Sequence, residues 1–114
     1  MITVRFEDFE RIDMRIGKIV ECQDFPQARK PAYRLRIDFG EEIGLKNSSA
    51  QLKERYRDRS ELVGKKVVAV INLPPKQVAN FVSEVLVLGV SDGKGGVILL
   101  VPDSEDAPLG SRVF

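Results

Sequence analysis

The chain contains no histidine, no tryptophan and a single cysteine, Cys22, among its 114 residues. Without histidine or a second cysteine there can be no Cys/His zinc ligand set, no Ser-His-Asp or Cys-His nucleophile and no disulfide within one chain. Most catalytic classes go with them, and no cofactor and no metal are expected. With no tryptophan, and most aromatics on buried strand parities, the base-stacking platform of sequence-tolerant single-strand binders is poorly supplied. Long hydrophobic runs are also missing. None nears the ~20 residues of a membrane span, and Met1 to Arg11 alternates apolar and charged residues where a signal peptide would carry an apolar core. A cytoplasmic protein without membrane insertion is expected.

What is present is the balance of a folded globule, 43% hydrophobic and 31% charged, at a length that suits one domain over residues 1–114. The net charge of +1 conceals an asymmetry: residues 28–66 hold eleven Lys/Arg against six Asp/Glu, and residues 84–114 hold two against five. A basic middle and an acidic end fit a face turned toward a polyanion, and equally fit ordinary solvated side chains.

Phe6, Phe9 and Ile12 at helical spacing predict a short amphipathic helix that covers one end of a barrel. Met14 to Asp24 reads as a first strand, with Met14, Ile16, Val20 and Cys22 on one parity and Gly17 at a bend or bulge. Tyr33, Leu35, Ile37 and Phe39 alternate with Arg34, Arg36 and Asp38, the clearest period-two signal in the chain. After a turn at Gly40-Glu41-Glu42, a third strand is expected with Ile43 and Leu45 pointing in and Lys46 pointing out. Ser48 to Gln51 fits a capping box that opens a helix of about two to three turns. Further strands are expected over Lys66–Leu73, Glu84–Val90 and Val97–Val101. Three strands, a helix, then two strands is the order of the OB-fold, an all-β Greek-key barrel, here with a sixth strand. A swapped SH3-like barrel or a small β-sandwich has similar strand counts but calls for no helix at that position.

Val67–Ile71, Val85–Leu88 and Val97–Val101 run apolar without alternation, although antiparallel barrel strands should show polar outward positions. Cover from the chain's own tail or from a partner copy is required, and a homodimer is the expectation. On the outward face of strands two and three, parity places Arg34, Arg36 and Lys46. Arg29 and Lys30 lie in the loop between strands one and two. The connection Asn72–Ser83 begins with Pro74-Pro75 and offers Asn72, Lys76, Gln77, Asn80 and Ser83. Cations suit phosphates, and amides and hydroxyls suit sugars or base edges. Phe81 reads as a stacking residue or as an anchor for its loop. Glu84 reads as a partner for a ligand amine or for a nearby lysine. Ser48 and Ser49 read as ligand contacts, with Ser48 also read as a helix cap.

Six ordered blocks are familiar: Asp13–Ile19, Ala28–Leu35, Asp38–Gly40, Lys46–Gln51, Asn72–Gln77 and Ser83–Gly89. Together they resemble the tRNA-binding-domain family, and within it the CsaA branch of export-related chaperones. The resemblance implies an OB-fold homodimer without catalysis. It also implies binding of unfolded or export-destined polypeptides, association with Sec components, and kinship with tRNA-binding proteins and the appended domain of methionyl-tRNA synthetases. By position it implies that Lys30, Asn72, Lys76, Ser83 and Glu84 lie on the family's binding face. The stretch after Asn72, Pro-Pro-Lys-Gln-Val-Ala-Asn-Phe, departs from the basic loop of tRNA binders, which favours a polypeptide ligand over a tightly held tRNA.

Overall fold

A computed structural model describes all of residues 1–114. In chain order, Phe6–Arg11 forms α1 and Met14–Asp24 forms β1, followed by β2 (Tyr33–Asp38), β3 (Leu45–Ala50), a 3-10 turn at Arg59–Glu61 and β4 (Lys66–Val70). Short strands complete it: β5 (Lys76–Val78), β6 (Phe81–Ser83), β7 (Leu86–Val87), β8 (Gly89–Ser91) and β9 (Val97–Leu99). The main sheet runs β3-β2-β1-β4-β7, with β5-β6 and β8-β9 as separate hairpins. It curls into a nearly closed OB-fold barrel, as the strand order requires.

Strand β1 serves both halves of the barrel. Met14–Lys18 pairs with β4 and Lys18–Asp24 pairs with β2. The two halves meet at Lys18, and just beyond it lies a bulge where Ile19 faces Ile37 and Glu21 faces Arg36, leaving Val20 without a partner. The extra residue shifts side-chain parity. Ile19 and Cys22 therefore point inward while Val20 is exposed, which corrects the single parity expected for Met14, Ile16, Val20 and Cys22. The bulge lies three residues beyond Gly17. Gly17 itself is needed for packing, since a Cβ there would meet Ile37 and Phe39.

Tyr33, Leu35 and Ile37 of β2, with Phe39 just after it, make the centre of the core and are all at most 1% exposed. They pack with Ile19, Leu62, Val67 and Ala69. Cys22 lies in the same cluster as a free thiol, and burial pushes its pKa up to about 11.

Strand β3 holds two corrections. Lys46 is paired with Ile37, Ser48 with Leu35 and Ala50 with Tyr33, and cross-strand partners share a face. Lys46 therefore lies on the inner side at the barrel rim, and Leu45 is 46% exposed on the outer side, the reverse of the expected parity. A slip of one residue inverts a whole strand, and Leu-Lys-Asn-Ser-Ser-Ala has no apolar alternation to set it. The expected capping box is also absent, because pairing with β2 draws Ser48 and Ala50 into the sheet. Ser48 is buried and its hydroxyl donates to the Val85 carbonyl at 3.0 Å. Where the helix was expected there is one turn closed by the Tyr56 N–H on the Leu52 carbonyl, then the 3-10 turn capped by Asp58.

Both chain ends lie beside β1. Residues 110–113 add backbone bonds to it, with Gly110 N–H on Ile16 O, Ile16 N–H on Ser111 O and Val113 N–H on Met14 O. Helix α1 buries none of its residues, and Phe6 is 69% exposed, so it does not cover the barrel end as expected. No helix is long and apolar enough to cross a membrane.

Candidate ligand-binding site

The connection expected to be a long loop after β4 folds instead as the β5-β6 hairpin, registered Lys76 to Ser83, Gln77 to Val82 and Val78 to Phe81. Its turn is Ala79-Asn80, where Ala79 adopts a positive φ of 52° and its carbonyl accepts from Gln77 Nε2 at 2.7 Å. The hairpin is fastened to the barrel by side chains. Ser83 Oγ accepts from the Ser49 N–H at 2.9 Å, and Glu84 Oε1 accepts from the Asn47 N–H at 3.0 Å. The Phe81 ring sits edge-on to Phe25, with centroids 5.5 Å apart. The Arg34 guanidinium lies 5.5 Å from the Phe25 centroid and 5.6 Å from that of Phe81. Phe81 is thus an anchor, and its cation–π partner is a residue expected to meet ligand.

Between the hairpin and the β1-β2 loop lies a cleft of about 990 Å³. Eleven of its 21 lining residues are hydrophobic, among them Leu73, Val78, Leu86, Val87 and Val97. Of the residues proposed from sequence, Arg29, Lys30, Ser49, Lys76, Gln77, Ser83 and Glu84 line this cleft. The apolar wall from β7 and β9 and the contribution of Gln27 were not foreseen, although the unalternating Val85–Leu88 run was the signal for it.

The remaining candidates lie elsewhere. Arg34 is half-buried in the aromatic stack, its Nη2 donates to Gln23 Oε1 at 3.1 Å, and its Nε is buried without a partner. Arg36 is exposed on the outer face of β2, opposite Asn47. Lys46 is on the other side of the sheet, so the expected strip of Arg34, Arg36 and Lys46 does not form. Asn80 is exposed at the hairpin turn.

Asn72 is engaged in the fold. Its Oδ1 accepts from the Asp13 N–H at 2.9 Å and its Nδ2 donates to the Arg11 carbonyl at 2.7 Å. Asp13 also takes Arg15 Nε at 2.6 Å, and Arg112 reaches both Asp13 and the Glu10 carbonyl. The Arg15 hydrogen bond holds the Asp13 carboxyl below its ordinary range, against burial, which would raise it. The Asp13–Ile19 block is thus a structural clasp for the chain's two ends.

The family model described as "Putative tRNA binding domain" matches residues 14–112. The chaperone CsaA of Bacillus anthracis str. Ames is 49% identical with a TM-score of 0.91, the match covering 99% of this chain and all of that one. The CsaA chaperone protein of Picrophilus torridus is 50% identical with a TM-score of 0.90, over 98% of this chain and all of that one. The methionine–tRNA ligase of Pyrococcus furiosus is 44% identical over 96% of this chain, which spans only 14% of that protein's length. These likenesses support a chaperone or tRNA-binding role. The chain belongs to the tRNA-binding domain family, in the branch of the CsaA proteins.

Proposed function

We propose that the protein is a non-catalytic, chaperone-like homodimer of the cytoplasm that holds extended, unfolded polypeptide in the cleft between the β1-β2 loop and the β5-β6 hairpin. The observation that carries this reading is the composition of that cleft: eleven hydrophobic residues of 21, beside amides, hydroxyls and the charged Arg29, Lys30, Lys76 and Glu84. Such a lining suits an extended backbone with apolar side chains at alternate positions. Export-destined chains as clients, and Sec components as the machinery that receives them, belong to the same proposal and rest on the resemblance read in the sequence.

Leu86 tests the cleft, being 50% exposed on its wall. Leu86→Ser should weaken binding of a fluorescent unfolded apolar peptide roughly tenfold through lost apolar burial. Unchanged anisotropy titrations would count against this site.

The second reading is a tRNA-binding module, favoured by the family match over residues 14–112 and by the likeness to methionine–tRNA ligases. Phosphate contacts predict strong salt dependence, whereas an apolar peptide should bind with little. The two readings therefore separate on one salt series.

A further inference from the structure

Strand β3 ends one side of the main sheet, so its outer edge has no strand ladder beside it. On its inner edge Asn47 and Ser49 face Arg36 and Arg34 of β2. Yet the N–H of Asn47 goes to Glu84 Oε1 at 3.0 Å and that of Ser49 to Ser83 Oγ at 2.9 Å. These two are therefore the pairs of the β2-β3 ladder that exchange no hydrogen bonds, and the N–H and C=O of Asn47 and Ser49 point to the outer edge. Asn47 is fully used there, its carbonyl accepting from the Glu84 and Val85 amides at 2.8 and 3.3 Å.

Past Asn47 the edge opens. The Ser49 carbonyl accepts no hydrogen bond from the chain, and the Gln51 N–H donates none. Ser49 is half-buried and Gln51 exposed, and both line the apolar cleft. A carbonyl at one residue and an N–H two residues later are the groups that a single residue of a parallel strand bridges, donating to the first and accepting from the second. An edge with such unpaired groups is a template for a further strand. In an antiparallel partner the residue facing Ser49 would also present its carbonyl to the Ser49 N–H, which Ser83 already holds. Parallel addition asks for no group in use.

We propose that the client polypeptide adds to β3 as a short parallel strand, one of its residues donating its N–H to the Ser49 carbonyl and accepting the Gln51 N–H. This deepens the polypeptide reading of the cleft and rests on it. Main-chain hydrogen bonds of this kind supply affinity without reading side-chain identity. The class of client is therefore any unfolded segment free to extend, with no proline at the bridging residue. A helical segment is excluded, because its N–H groups are already spent within the helix. Side chains of an added strand alternate between its two faces, so every second one is available to the hydrophobic residues of the same cleft, Leu52, Val85 and Val87 among them.

The test follows amide exchange by NMR on the full chain, with and without a saturating unfolded apolar peptide, alongside anisotropy titrations of the same peptide carrying a fluorophore. The Gln51 amide should exchange freely in the unliganded chain and about tenfold or more slowly with peptide bound. N-methylation of two successive central residues of the peptide blocks both strand edges and should weaken binding about tenfold. The same two methyl groups at the end of the peptide should change little. Gln51→Pro removes the N–H and should weaken the peptide about fivefold, whereas Gln51→Ala keeps it and should bind normally. An unprotected Gln51 amide at saturation, equal affinity for the centrally methylated peptide, or normal binding by a folded Gln51→Pro would each overturn strand addition. Should Gln51→Pro fail to fold, exchange and methylation decide the matter on the unaltered chain. If strand addition is overturned while Leu86→Ser still weakens the peptide, the polypeptide reading stands without it. If no peptide binds the unaltered chain, both fall.

Discussion

A Cβ placed on Gly17 would lie 2.6 Å from Ile37 Cγ2 and 2.7 Å from Phe39 Cε1. Both neighbours are in the least exposed part of the core, so neither can yield cheaply. Gly17→Ala should therefore cost about 1–3 kcal/mol by overpacking, read as a lower urea midpoint with an unchanged slope. Asp13 has a pH signature. Its native pKa is held down by Arg15, so its contribution is present above the unfolded value of about 3.9 and is lost as pH falls through the lower native value. Stability measured from neutral pH into this acid range should fall less steeply in Asp13→Asn than in the unaltered chain. At this scale the sequence was legible where apolar spacing spoke plainly, as from Tyr33 to Phe39. It misplaced Lys46 and Ser48, whose orientations come from pairing with β2 and not from their own polarity.

Among the elements, the β5-β6 hairpin is the one on which the apolar cleft depends and the one sequence reading missed. Two strands of three residues each are too short for alternation to register, and Pro74-Pro75 reads equally well as loop. Its attachment rests on Phe81 against Phe25 and Arg34 and on Ser83 at the β3 edge. Phe81→Ala should release the hairpin without unfolding the barrel. Amide exchange over Lys76–Ser83 should quicken while that of Tyr33–Ile37 holds, since local opening costs less than global unfolding. Equal acceleration in both segments would show that the hairpin is not a separable unit. The helix expected after Ser48 fails for a related reason: three residues read as its start are claimed by a neighbouring strand, and tertiary pairing overrides a local cap. Helix α1 was legible as a helix, yet its apolar side chains lack a surface within the chain.

For the whole molecule the informative quantity is the exposed area. A compact monomer of 12.8 kDa should expose roughly 6,300 Å², whereas this chain exposes 7728 Å². The surplus resides in parts such as Met1, Ile2, Val4 and Phe6, which are 68% exposed or more, and Val90, Leu100 and Val101 on the β8–β9 side, which are 40–50% exposed. A two-fold partner burying ~800 Å² per subunit would remove about that kind of excess. Sedimentation at micromolar concentration should give twice 12.8 kDa, and Phe6→Asp combined with Leu100→Asp should give the single mass. A monomer in the unaltered chain would refute the dimer. The barrel class was readable from strand order because that order is a global property and survives errors at individual residues.

The barrel's last joint differs from the others. Between β3 and the start of β7 there is no regular ladder. Ser83, Glu84 and Ser48 contribute side-chain oxygens to backbone groups, beside the Glu84 and Val85 amides that share the Asn47 carbonyl. Such a seam is stitched rather than woven. Thermal breathing should begin along this line, and a client chain pressing into the neighbouring groove would pull on it before any other part of the cylinder gives way.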